Sequence, residues 1–188
     1  MQDIIAKIYD YDAETDSYII KLSFDKYLDI FNSIDHYPIR KRDISDPVLT
    51  YIEECSEDIP FKSNIRIEIA IKREARNSEL EERTIKGIKN YFKYMLFFYR
   101  KKSKSVANTS IIYFLLFGLF GFISFYTESL RLDINRIFLK MILEGLSIGS
   151  WVFLWEAIVG IAIENRENRF YVKTYKRLLD STLVFKYE

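Results

Sequence analysis

Lys140, Glu144 and Glu156 interrupt an otherwise apolar stretch, residues 137–163. An ionisable side chain deep in an apolar helix costs roughly 2.5–3.5 kcal/mol to place in lipid, so it faces protein, water or a partner charge. The chemistry open to such a group is proton relay or ion selection in a pore, or a hydrogen-bonded packing role without transport. Lys140 and Glu144 stand four apart, a spacing that allows an ion pair along one helix face. Glu156 has no such partner in its own helix and lies about seven residues, roughly 10 Å, from the end of the stretch.

At 100° per residue, Gly145, Gly149, Glu156 and Gly160 fall within about 60° of arc, while Lys140, Glu144, Trp151 and Trp155 cluster about 120° away. Small residues on one stripe let two backbones approach closely. The preceding apolar run offers Gly118 and Gly121 for the same purpose. Glu156 is therefore expected in a helix–helix interface, either within one chain or between subunits.

Other reactive residues give little. His36 is the single histidine, so no histidine metal cluster or Ser-His-Asp arrangement can be assembled. Cys55 is the single cysteine, which excludes a disulfide-stapled fold and reads as a buried thiol. Asp10, Asp12, Glu14 and Asp16 resemble a cation loop but lack the glycine and terminal glutamate of an EF-hand. Arg40, Lys41 and Arg42 could touch anionic headgroups or simply form an exposed loop. No phosphate-cradling glycine loop is present. The expectation is no metal, no cofactor and no catalytic residue; an enzyme would have to rely on Asp35, Asp43 or Asp46.

The elements that must position these residues follow from charge and hydropathy. Lysine and arginine number 28 against 27 aspartates and glutamates, which argues against a nucleic-acid partner. That balance hides two regimes, because residues 105–127 carry no charged side chain while residues 1–104 are rich in charge. Residues 111–126 are apolar on every face and extend to about twenty-two residues if 106–110 join the helix. At roughly 1.5 Å per residue this gives about 33 Å, against a hydrocarbon core of about 30 Å. The second stretch, 137–163, is about 40 Å long if helical and must tilt or protrude. Two spans are predicted, about 106–127 and 137–163, joined by a short loop.

Orientation follows the basic residues at the ends. Arg100, Lys101, Lys102 and Lys104 precede the first span, and Arg166, Arg169, Lys173, Lys176 and Arg177 follow the second. The loop carries Arg131 and Arg136, offset by Glu128 and Asp133. Both termini are expected in the cytoplasm, with Arg100, Lys101, Lys102, Trp151 and Trp155 as interface anchors. Met1-Gln2-Asp3 lacks the basic start and apolar core of a cleavable signal, so the first span is expected to direct its own insertion.

Before the spans, residues 4–9 and 18–24 read as strands around a polar turn, 10–16, hence a β-hairpin. Residues 24–34 show helical apolar spacing. Asp46-Pro47 opens a helix that Pro60 closes. Residues 64–72 alternate cleanly as a strand, and Ser78 with Glu81 fits a capping box for a long helix. That helix carries an aromatic series from Tyr91 to Tyr99, either an approach to the membrane interface or a core face. After the spans, Tyr171, Tyr175, Leu178 and Leu179 recur at helical spacing, and residues 183–187 fit a strand returning to the sheet. The predicted fold class is α+β: a small cytosolic antiparallel-sheet domain, ββααβα, over residues 1–104, a transmembrane hairpin over 105–163, and a cytosolic helix and tail over 164–188.

The segment 144–156, EGLSIGSWVFLWE, is similar to the EGLxIGxWVxxW motif in the second span of a family of uncharacterised prokaryotic two-span membrane proteins. Residues 30–60, through Phe31-Asn32, Asp35, Pro38, Arg42-Asp43-Ile44, Tyr51-Ile52 and Glu57-Asp58-Ile59-Pro60, resemble that family's soluble half. The resemblance implies a two-span membrane protein and supplies no active site. Where those proteins carry a basic residue and proline after the second tryptophan, this chain has Glu156-Ala157, so Glu156 inherits no role.

The function expected is an integral membrane protein with a cytosolic regulatory or scaffolding domain, self-associating through its spans. The alternative is an oligomeric channel gated by that domain. The partners expected are the lipid bilayer and further copies of the chain, with room for an unknown protein partner.

Overall fold

A computed structural model describes residues 5, 7–129 and 137–187. The fold is mixed α+β with one open four-stranded sheet. The elements in chain order are β1 (Asp10–Asp12), β2 (Ser17–Phe24), α1 (Asp46–Asp58), β3 (Asn64–Ile71), α2 (Ser78–Ser129), α3 (Ile137–Val159), a π-helical turn (Gly160–Glu164), α4 (Asn165–Asp180) and β4 (Thr182–Tyr187). Packing divides them into two compact units, residues 1–98 with 171–188, and residues 99–170.

In the first unit the strand order is β1-β2-β3-β4. The predicted antiparallel sheet is corrected here. Only β1 and β2 run antiparallel, whereas β2 pairs with β3, and β3 with β4, in parallel. The reason is connection length: the chain between β2 and β3 carries α1, long enough to return to the end where β2 began, and a crossover of this kind leaves strands parallel. The returning strand at the C-terminus does form, pairing Arg66 with Thr182 through Ile71 with Tyr187.

The alternation of β3 sorts its two faces. Ile65, Ile67, Ile69 and Ile71 are all buried. The neighbouring positions carry cross-strand ion pairs, Arg66 with Asp12 at 2.8 Å and Lys186 with Glu68 at 2.6 Å. The helices supply the other buried side chains: Val48, Ile52 and Cys55 from α1, Ile88, Phe92 and Leu96 from α2, Tyr175 and Leu178 from α4. Of the aromatic series of α2, Phe92 thus enters a core, beside Leu96, while Tyr94, Phe97 and Phe98 stay exposed.

Two further predictions shift. The first strand is Asp10–Asp12 rather than residues 4–9; Ile5, Lys7 and Ile8 are helical, and residues 4 and 6 lie outside the described set. The hairpin is set instead by Asp12, which accepts from the Glu14 amide at 3.0 Å and the Thr15 hydroxyl at 2.9 Å, a side-chain-made turn. Residues 24–34 hold only a short 3₁₀ turn, Tyr27–Ile30. Their apolar spacing comes from a packed loop in which Tyr27, Ile30 and Phe31 are buried. Side-chain acceptors there compete with a helix: Asp29 takes the Lys26 amide, Asn32 takes that of Ile34, and Asp35 takes those of Tyr37 and Asp43.

The long helix begins at Ser78, and its cap is Asn77, not Ser78: the Asn77 side chain accepts from the Leu80 amide at 3.1 Å. It continues unbroken through the basic run at 100–104 to Ser129. Gly87 is required by close approach, since a Cβ there would lie 2.5 Å from the Ile39 carbonyl oxygen and 3.1 Å from the Phe31 ring.

In the second unit the later part of α2 packs along α3. Phe153 lies between Tyr113, at 6.0 Å, and Phe120, at 5.5 Å between ring centres. Ser110, Ser150, Ala157 and Gly160 are buried. Outward the surface is apolar: Phe125 is 72% exposed and Trp151 65%.

Candidate functional site

The inner seam of the helix pair is made by small residues. A Cβ on Gly160 would collide with the Ser110 side chain, and one on Gly121 would lie 3.9 Å from the Ser150 hydroxyl. From Gly160 the helix takes one π-helical turn, Gly160–Glu164. The wider turn shifts the phase of everything that follows. Past it, Asn165 accepts a hydrogen bond from the Ser103 hydroxyl and Asn168 is buried. The polar end of the pair is therefore closed by side-chain contacts between α2 and α4 within this unit.

Gly118, Gly145 and Gly149 meet no atom that a Cβ would touch. Glu156 and Gly145 are exposed on α3, and Gly149 is half-buried. Lys140 and Glu144 are exposed and form no ion pair among the described residues. Their order, lysine before glutamate, is the less favourable one for an i,i+4 pair on a helix. Trp151 and Trp155 are both exposed, as are Arg100, Lys101 and Lys102. The loop residues Arg131, Asp133 and Arg136 lie outside the described residues.

The sheet unit fixes two cations that sequence reasoning missed. Arg177 donates to the carbonyl oxygens of Ser56, Ile59 (2.9 Å) and Pro60 (3.0 Å), closing the C-terminal end of α1. Its guanidinium also lies 4.6 Å over the Phe61 ring. Burial pulls its pKa down to about 10. Lys89 does the same for α4, donating to the carbonyls of Leu178, Leu179 and Ser181. Its pKa is lowered by burial, with the Asp180 charge acting in the opposite direction. Cations at helix C-termini complement unpaired carbonyls and the dipole. No local sequence signal marks either pairing, because Lys89 lies inside α2 and Arg177 lies on α4, each far in the chain from the helix end that it caps.

The remaining candidates are absorbed by structure. Asp12 pairs with Arg66, Asp10 with Lys21, and Asp16 accepts from the Tyr11 hydroxyl at 2.7 Å. Cys55 is a buried free thiol and His36 is exposed. Two backbone amides hold the Asp35 carboxyl below the usual range. No group of three metal-ligating side chains occurs among the described residues.

Comparison with family models, curated proteins and solved structures finds no match.

Proposed function

We propose that the two apolar helical stretches, about 106–127 and 137–163, cross the cytoplasmic membrane as a hairpin and that the chain self-associates there. The sheet unit and both termini lie in the cytoplasm, where the unit acts as a regulatory or scaffolding module. The observation that carries this is the inverted surface of the helix pair. Two helices are long and apolar enough to span a bilayer, and only 6% and 17% of their most apolar windows is buried. A soluble core helix of that composition would be mostly covered. Basic residues at the closed end, Arg100, Lys101, Lys102, Lys104, Arg166 and Arg169, support the orientation.

Self-association rests on the open face of α3. Gly145 and Gly149 offer a close-approach seam, and Glu156 beside them bears a carboxyl that lipid solvates poorly. A second copy covering that face removes the cost. Native-mass measurement in neutral detergent tests this: the unaltered chain gives a defined oligomer, and Gly149→Ile disperses it. An unchanged oligomer in that variant would reject the seam.

One observation favours a channel as the second reading, namely that Glu156 is exposed and unpaired among the described residues. If copies surround a path lined by it, ion flux in liposomes falls at least tenfold in Glu156→Gln. Unchanged leak with intact oligomers would leave the scaffold.

A further inference from the structure

A cleft of about 490 Å³ opens in the sheet unit where the three parallel strands begin, at Ser17, Asn64 and Thr182. Four of its lining side chains are cationic, Lys62, Lys173, Lys176 and Arg177, and one, Asp180, is acidic. The C-terminal ends of α1 and α4 also reach this region, and helix C-termini attract cations for their own sake. Here that demand is already met. Arg177 takes the Ser56 carbonyl of α1 and the Ile59 and Pro60 carbonyls just past it, and Lys89 takes the Leu178 and Leu179 carbonyls of α4 and that of Ser181 just past it.

Lys62, Lys173 and Lys176 are thus left over. All three are exposed, and none pairs with a carboxylate among the described residues. Three ammonium groups around one volume repel one another unless an anion sits between them. The hydroxyls of Ser63 and Thr182, on the same walls, make no hydrogen bond among the described residues and add neutral donors. Asp180 is the single acceptor of full charge, suited to a ligand hydroxyl rather than to a phosphate. The volume fits a small molecule or a headgroup.

We infer that this cleft binds a phosphate ester bearing free hydroxyls, its phosphate on Lys62, Lys173 and Lys176 and a hydroxyl on Asp180. A free nucleotide and the phosphoglycerol headgroup of an anionic lipid share that chemistry. The inference stands on the sheet unit alone and does not depend on the spans crossing a membrane.

The test uses the purified full-length chain in neutral detergent. In one arm ATP without divalent metal is titrated by calorimetry; in the other, phosphatidylglycerol or phosphatidylcholine is added and retained lipid is read by native mass spectrometry. Binding is expected in one arm, with phosphatidylglycerol preferred over phosphatidylcholine if it is the lipid arm. Lys62→Gln, Lys173→Gln and Lys176→Gln together weaken it at least tenfold, while the same three as arginine retain it. Lys7→Gln, Lys26→Gln and Lys72→Gln, which remove equal charge from exposed positions outside the cleft, leave it unchanged. ATP binding identifies a soluble ligand, and phosphatidylglycerol retention a headgroup. No binding in either arm, equal weakening by the control set, or full binding by the cleft triple-glutamine variant would overturn the assignment.

Discussion

Glu53 shows how a single carboxyl couples the sheet unit to pH. It lies on α1 and accepts a hydrogen bond from the Tyr175 hydroxyl. Burial raises its pKa above the ordinary 4.5, the Tyr175 bond opposes the shift and the neighbouring Glu57 charge adds to it. A carboxyl with a raised folded pKa binds more protons folded than unfolded, so its favourable contribution is full below pH 4.5 and is lost as pH rises through the folded value. Glu53→Gln removes that titration and keeps a partner for Tyr175. The thermal midpoint of the variant should therefore fall less than that of the unaltered chain between pH 4.5 and neutrality. Parallel curves for the two would show that Glu53 is not penalised. Residue-level chemistry was only partly legible beforehand. The buried thiol of Cys55 and the paired carboxylates of the polar turn could be read from composition and spacing, whereas Arg177 and Lys89 could not, because their acceptors lie far away in the chain.

At the scale of elements, local pattern and long-range pairing separate cleanly. β3 was legible because alternating isoleucines leave one arrangement that buries them all. The direction of its pairing was not, since it depends on where α1 returns the chain. The 24–34 loop deceived through the same physics that makes helices amphipathic: Tyr27, Ile30 and Phe31 are spaced for burial, but Asp29, Asn32 and Asp35 capture the backbone amides. The glycine stripe divides in a way that spacing did not reveal. Gly160 lies against Ser110, while Gly145 and Gly149 stay open. Substitution separates these roles. Gly160→Leu should overpack the seam between α2 and α3 and lower the thermal midpoint in detergent, with a cost of about 1–3 kcal/mol. Gly145→Leu should leave that midpoint within about 1 °C once the protein is dispersed to monomer. Equal loss in both variants would contradict the packing described for Gly160.

For the whole molecule, the question is which solvent surrounds the helix pair. Phe114, Leu115, Phe122, Phe125, Trp151, Trp155 and Ile161 are all more than half exposed. At about 25 cal/mol per Å² of apolar surface, exposing so many large side chains to water would cost many kcal/mol, against a typical domain stability of 5–15 kcal/mol. Lipid removes that cost without further contacts. The two long apolar stretches were the most legible feature of the sequence, while the proposed oligomer and the proposed ligand of the sheet unit depend on partners that leave weaker marks. The most direct test is fractionation of cells expressing the full chain, by high-speed centrifugation before and after an alkaline carbonate wash. The protein is expected in the washed pellet and in solution only after detergent is added. Recovery in the detergent-free supernatant as a monodisperse species would contradict lipid as the medium around residues 106–127 and 137–163.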